Sequence, residues 1–157
     1  MRQAANTRPP GKLREWAAVA YFADEQEVYR YLGGLFRALL DDPELRAQLM
    51  RADTIVEYRY RRPESEITVK LVEGEEPVVQ EGLGDLEPEV VMTMDADIAH
   101  RFWLGNVNVT VALARGQMRA TGPVAKLLRL VPIVRPAFAR YRALLEEAGR
   151  ADLLEAS

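Results

Sequence analysis

The chain has 157 residues, 48% hydrophobic and 29% charged, with a formal net charge of -3. Cysteine is absent and histidine occurs once, at His100, which excludes thiol nucleophiles, disulfides, Cys-ligated zinc and multi-His metal sites. The acidic balance argues against general nucleic-acid binding, which rests on excess Lys and Arg.

No segment approaches the ~18 uninterrupted apolar residues of a spanning helix. The apolar stretch at 16–22 is short and bracketed by Glu15 and Asp24, without the h-region and cleavage site of a secretory signal. The expectation is a soluble, cytoplasmic protein. Residues 1–22 read as an N-terminal arm or extra helix, 23–150 as the domain, and 151–157 as a C-terminal tail.

From Asp24 the pattern is helical. Asp24 and Glu27 have capping-box spacing, with Asp in place of the usual Ser or Thr. Val28, Leu32, Leu35, Phe36 and Leu39 then recur on one face. Gly33-Gly34 costs roughly 1 kcal/mol per glycine relative to Ala, and suits a close approach to a neighbour. Asp41-Asp42-Pro43 marks a stop and restart, after which Leu45 and Leu49 continue a shorter amphipathic helix.

At Thr54 the period changes to two. Val56, Tyr58 and Tyr60 alternate with Glu57 and Arg59, and Ile67, Val69 and Leu71 with Glu66, Thr68 and Lys70. With a third short strand at 77–81, this reads as an antiparallel meander that has one wet face and one face needing a helical cover. A fourth strand is expected at 90–94. Asp95 then N-caps a helix whose apolar stripe (Ile98, Ala99, Phe102 and Trp103) ends at Gly105.

The stretch 106–113 alternates Val107, Val109, Val111 and Leu113 with polar or small residues, which alone reads as a strand. Asn106, Asn108 and Thr110 equally suit a short capped helix ending at Gly116. A last strand is expected at 117–121, with Met118 and Ala120 on one side. Pro123 suits the first position of a helix. Residues 124–134 are strongly apolar, Pro132 and Pro136 must bend or break them, and Phe138, Tyr141, Leu144 and Leu145 continue to a terminator at Gly149.

The residues from Val91 to Val134 resemble a known family. A strand, Val91-Met92-Thr93-Met94, leads to Asp95, a helix with Phe102-Trp103, and Gly105. Ala112-Leu113-Ala114-Arg115-Gly116, a short strand with Met118, Thr121-Gly122 and Leu127-Leu128-Arg129-Leu130 follow. This order is similar to the sterol carrier protein type 2 lipid-transfer domain, and the likeness extends over roughly residues 22–149. It implies an α+β fold with a five-stranded, mostly antiparallel sheet and helices on one face. Between them it implies an apolar tunnel for a sterol, fatty acyl chain or other lipid, with no cofactor. It also favours the helical reading of 106–115. The chain departs from peroxisomal members in ending Glu155-Ala156-Ser157 rather than in a Ser-Lys-Leu type signal.

The candidate ligand-binding side chains are Phe36, Phe102, Trp103, Val111, Met118, Leu127, Leu130, Val131, Val134 and Phe138. Taken singly, each is as well explained as core; Phe102 and Trp103, adjacent on one helix, cannot both point the same way. His100 is expected on the polar side of its helix, solvated or capping, and no Ser or Cys nucleophile motif accompanies it. The paired carboxylates Asp41-Asp42, Glu75-Glu76 and Glu146-Glu147 fall at turns or helix ends, and Gly82-Leu83-Gly84 is a turn rather than a phosphate loop.

The segment from Arg115 to Arg142 holds Arg115, Arg119, Lys126, Arg129, Arg135, Arg140 and Arg142 but no Asp or Glu. Pairing with the acidic N-terminal half is favoured slightly over attraction of anionic lipid headgroups. The expectation is therefore a non-enzymatic binder of an apolar small molecule. The alternative is an accessory protein-interaction subunit in lipid or quinone metabolism. A transient membrane contact, a protein partner and a homodimer stay open.

Overall fold

A computed structural model describes residues 21–155; the N-terminal arm lies outside the described residues except for its last two positions, as do the final two residues of the tail. Helix α1 (Glu25–Val28) is capped by Asp24, whose carboxylate accepts from Glu27 N at 3.0 Å. Glu27 reaches back to Ala23 N at 2.9 Å, so the capping-box pair is reciprocal one residue earlier than usual.

A π-helical turn, Tyr29–Gly33, joins α1 directly to α2 (Gly34–Asp41). The glycine pair explains the turn's close packing. A Cβ on Gly33 would stand 2.5 Å from Glu81 Oε2, and one on Gly34 would touch Leu144 Cδ1 at 3.7 Å. Asp42 ends α2 and caps α3 (Pro43–Met50), accepting from Glu44 N and Leu45 N at 3.0 and 3.2 Å.

The sheet comprises β1 (Thr54–Arg61), β2 (Ser65–Leu71), β3 (Val78–Glu81), β4 (Val90–Asp95) and β5 (Met118–Thr121), in the order β3-β2-β1-β4-β5. The first three strands form the expected meander. The chain then returns to the free side of β1, where β4 runs parallel to it, with Val56 opposite Val90 and Tyr60 opposite Met94. Glu89 secures this return: its N–H donates to Ile55 O at 2.8 Å, and its carboxylate accepts from Thr54 Oγ1 at 2.6 Å. β5 pairs antiparallel to β4, so the sheet is mixed but mostly antiparallel. On the face away from the helices Glu57 and Thr68, opposite one another, are buried rather than wet.

Helix α4 (Ala96–Trp103) follows β4 at once. Asp95 is its N-cap residue but makes no capping bond; its carboxylate instead pairs with Arg61 and Arg62, at 3.4 and 2.5 Å. Of the two readings of 106–116, the short capped helix holds and the strand does not. Val109–Ala114 is helix α5, because Asn108 Oδ1 accepts from Val111 N at 3.1 Å and caps it. After β5, Pro123 does not open the helix; α6 is only Ala125–Leu128, followed by turns through Arg135. Pro136 restarts the chain as α7 (Pro136–Glu147), which packs on α2 and α4. The stretch beyond 150 contains α8 (Ala151–Leu154), whose Leu153 is fully buried.

Candidate functional site

The inner face of the sheet and the helices enclose a cavity of ≈ 100 Å³. Alternation on the strands supplies its floor: Tyr58 and Tyr60 from β1, Val69 and Leu71 from β2, Met92 and Met94 from β4, and Met118 from β5. Phe36, Leu39 and Leu40 of α2 and Leu49 of α3 close one side. Ala99, Phe102 and Trp103 of α4 close another, and Leu127, Leu130, Val131 and Val134 form the roof.

Aromatic rings bind these elements together. Phe36 stacks on Tyr58 at 5.2 Å and meets Trp103 edge-on at 5.8 Å, and Phe102 meets Trp103 at 4.8 Å. Burial pushes the hydroxyl pKa of both Tyr58 and Tyr60 upward, so both stay neutral. Neither hydroxyl makes a hydrogen bond among the described residues. With a lining of aliphatic, thioether and aromatic groups, the cavity can hold apolar matter and offers no strong acid or base.

Eight of the ten side chains singled out from the sequence meet at this cavity: Phe36, Phe102, Trp103, Met118, Leu127, Leu130, Val131 and Val134. Phe102 and Trp103 both reach it despite pointing ~100° apart around their helix, because the cavity wraps the end of α4. Trp103 is buried, whereas Phe102 stands at the rim. The other two lie elsewhere. Val111 is 42% exposed and outside the wall. Phe138 lines an outer groove of ≈ 660 Å³, packs edge-on against Phe102 at 5.7 Å, and would stand 3.3 Å from a Cβ on Gly105, where φ is +90°.

Of the strand-borne lining only Met118 was singled out from the sequence; Tyr58, Tyr60, Val69, Leu71, Met92 and Met94 were not. Their signal lies in the period-two spacing that puts Tyr58 with Tyr60, and Met92 with Met94, on one strand face.

His100 is not solvated; its side chain is fully buried. Nε2 lies 2.9 Å from Leu153 O and Nδ1 lies 2.7 Å from the Tyr141 hydroxyl. A carbonyl can only accept, so Nε2 carries the proton and Nδ1 accepts from Tyr141. Burial pushes the imidazole pKa down to about 4, which keeps the ring neutral. Tyr21, Phe22 and Tyr141 pack around it. This histidine fastens α4 to α7 and α8.

The molecule shares its fold with solved structures. The sterol carrier protein domain 2 of Helicoverpa armigera is 21% identical, with a TM-score of 0.57 over 71% of this chain and 88% of that one. Apo sterol carrier protein 2 of Yarrowia lipolytica is 17% identical, with a TM-score of 0.51 over 71% of this chain and 85% of that one.

The fold is that of a sterol carrier protein 2 domain. No protein-family model matches the sequence, and no curated protein does. Within the sterol-carrier fold, the apolar cavity of this chain lies between the sheet and its helical cover.

Proposed function

We propose that this protein is a non-enzymatic carrier that shields a sterol, fatty acyl chain or other lipid from water in the cytoplasm. The observation that carries this reading is the cavity itself, whose wall is assembled from the inner sheet face and from α2, α3, α4 and the 124–134 segment. Binding sites for small apolar ligands are concave and mostly apolar, with few polar groups. Three methionines, Met92, Met94 and Met118, lie in the floor. Flexible thioether side chains let such a surface adjust to ligands of different shape. The sterol-carrier fold of the neighbouring structures supports the same reading.

Phe36, Phe102, Trp103, Met118, Leu127, Leu130, Val131 and Val134 are the proposed ligand contacts. His100 takes no part, since both its ring nitrogens are engaged in the core. The test is mass spectrometry of organic extracts from gently purified protein, coupled to titration with a fluorescent fatty acid. One or more co-purifying lipids and saturable binding are expected. An empty protein that also fails to bind the probe overturns the proposal.

A further inference from the structure

Two tyrosines of β1, Tyr58 and Tyr60, stand side by side in the cavity wall. Residues two apart on a strand point to the same face, and the two rings lie 6.3 Å apart and 6° from parallel. Phe36 stacks on Tyr58 from the helical side at 5.2 Å and holds that ring in place. Apart from this pair and the indole of Trp103, every side chain of the wall is aliphatic, thioether or phenyl.

The hydroxyls of Tyr58 and Tyr60 bond no described residue. Among the described residues, Arg101 Nε is the single side-chain nitrogen or oxygen that is sealed inside protein without a hydrogen bond. The two hydroxyls lack a bond and are not sealed, so each opens on free space, and the space their residues line is the cavity. Stability does not explain them. A hydroxyl taken from water without a partner is a cost, and phenylalanine would complete the same wall without it. Burial holds both phenols in the neutral, proton-donating form. No charged side chain belongs to the wall, so a carboxylate here would be a buried charge without a counter-ion.

We propose that Tyr58 and Tyr60 form a polar subsite inside the cavity, where both hydroxyls donate to one uncharged oxygen, a ketone or an alcohol, at the buried end of the lipid. This inference rests on the carrier reading and adds what the inner end of the ligand must carry. The ring spacing is close to two O–H···O lengths of about 2.7–2.8 Å, so one oxygen between the rings serves both donors. A carbonyl or alcohol oxygen has the two lone pairs this requires. The apolar remainder of the wall then packs the hydrocarbon, and the phenol pair fixes which end of the molecule lies innermost.

The test is calorimetric titration of the full chain, stripped of lipid, with four ligands of equal length presented from cyclodextrin: dodecane, dodecanol, methyl decyl ketone and dodecanoate. Tyr58→Phe, Tyr60→Phe and the double variant are compared with Tyr29→Phe, which removes a hydroxyl engaged with Glu25 and Glu66 away from the cavity. Each single cavity variant is expected to weaken the ketone or the alcohol, or both, by about threefold to tenfold, the worth of one neutral hydrogen bond. The double variant should lose more. Dodecane and dodecanoate should bind these variants as well as the native chain or better, and Tyr29→Phe should change no affinity. A loss confined to the ketone assigns the oxygen as a carbonyl, and a loss confined to the alcohol assigns it as a hydroxyl. Thermal melts of the same variants separate lost binding from lost folding. Unchanged affinity for both ketone and alcohol, or an equal loss for dodecane or dodecanoate, overturns the subsite and leaves the carrier reading standing. Failure of all four ligands to bind the native chain overturns both.

Discussion

His100 is fully buried and neutral, held by one donor and one acceptor, and this makes it an acid-sensitive fastening. Its pKa is about 4 in the folded chain, against an ordinary 6.5. As pH falls below 6.5 the unfolded chain takes up the proton first. The stability contributed by the neutral ring is thus complete above about 6.5 and lost as pH falls towards 4. Urea denaturation should show a loss on the order of 2 kcal/mol from this group between pH 7 and pH 5. His100→Phe should begin about 1–3 kcal/mol lower at pH 7, because it leaves the Leu153 carbonyl and the Tyr141 hydroxyl unpaired, and should then be flatter across that range. A variant as steep as the native chain would place the titrating group elsewhere. The tyrosines form a contrasting pair. Tyr141→Phe removes a bond to His100 and should cost about 1 kcal/mol. Tyr60→Phe removes a hydroxyl that bonds no described residue from the apolar cavity wall, and should be neutral or stabilising in the same melts.

At the scale of elements, tight backbone approaches decide where the chain turns. Gly122 follows β5 with φ +90°, and a Cβ there would stand 2.2 Å from Glu89 O. That oxygen belongs to backbone held by the Glu89 N–Ile55 O bond, so it cannot step aside as a flexible side chain would. Gly122→Ala is therefore expected to cost roughly 3 kcal/mol or more, from left-handed strain and collision together. Gly33→Ala should cost less, because the colliding atom is the end of the Glu81 side chain, which can move at the expense of its ion pair with Arg37. Paired thermal melts of the two variants measure the difference.

The same scale shows what was legible in the sequence. Strands β1 and β2 were readable from period-two alternation, and α2 and α7 from helical spacing. Helix α5 was legible only as one of two alternatives, because the valines at 107, 109 and 111 carry a strand signal while Asn108 offers the cap that the helix uses. The parallel pairing of β1 with β4 left no local trace, since it depends on where the chain returns after β3. His100 was misplaced for a related reason. Its partners Tyr141 and Leu153 lie 41 and 53 residues away, beyond any local pattern. The cavity's roof was legible as an excess of apolar residues after Pro123, but its floor, Met118 apart, was not, because inward strand residues look alike whether they meet core or cavity.

At the scale of the whole molecule, the cavity leaves apolar groups of the sheet and its helical cover incompletely packed against each other. Ala99 lies in the wall and is almost fully buried, so Ala99→Leu places additional carbons in that space. The expected outcome is unchanged or slightly higher thermal stability together with a loss of fluorescent fatty-acid binding of about tenfold or more. Retention of native affinity would show that the ligand does not enter past α4. Charge is distributed unevenly at this scale. Of the seven basic residues between 115 and 142, Arg140 pairs with Asp42 in the N-terminal half and Lys126 with Glu89 beyond it. Arg142 instead donates to the Leu104 carbonyl, while Arg115, Arg119, Arg129 and Arg135 are exposed and pair with no described residue.

The return of the chain between β3 and β4 has one more consequence. Leu83, in that connection, is 91% exposed, whereas the strands on either side are locked into the sheet. A protease that cleaves at this leucine would divide the molecule into two pieces, one carrying β1–β3 with the helices before them and the other carrying β4, β5 and the rest. Each piece owns part of the cavity wall, and the β1–β4 ladder is the backbone seam between them. A lipid in the cavity would touch both pieces and act as a rivet. The nicked protein should therefore reassemble more tightly when loaded than when empty, and its two halves could report ligand by complementation.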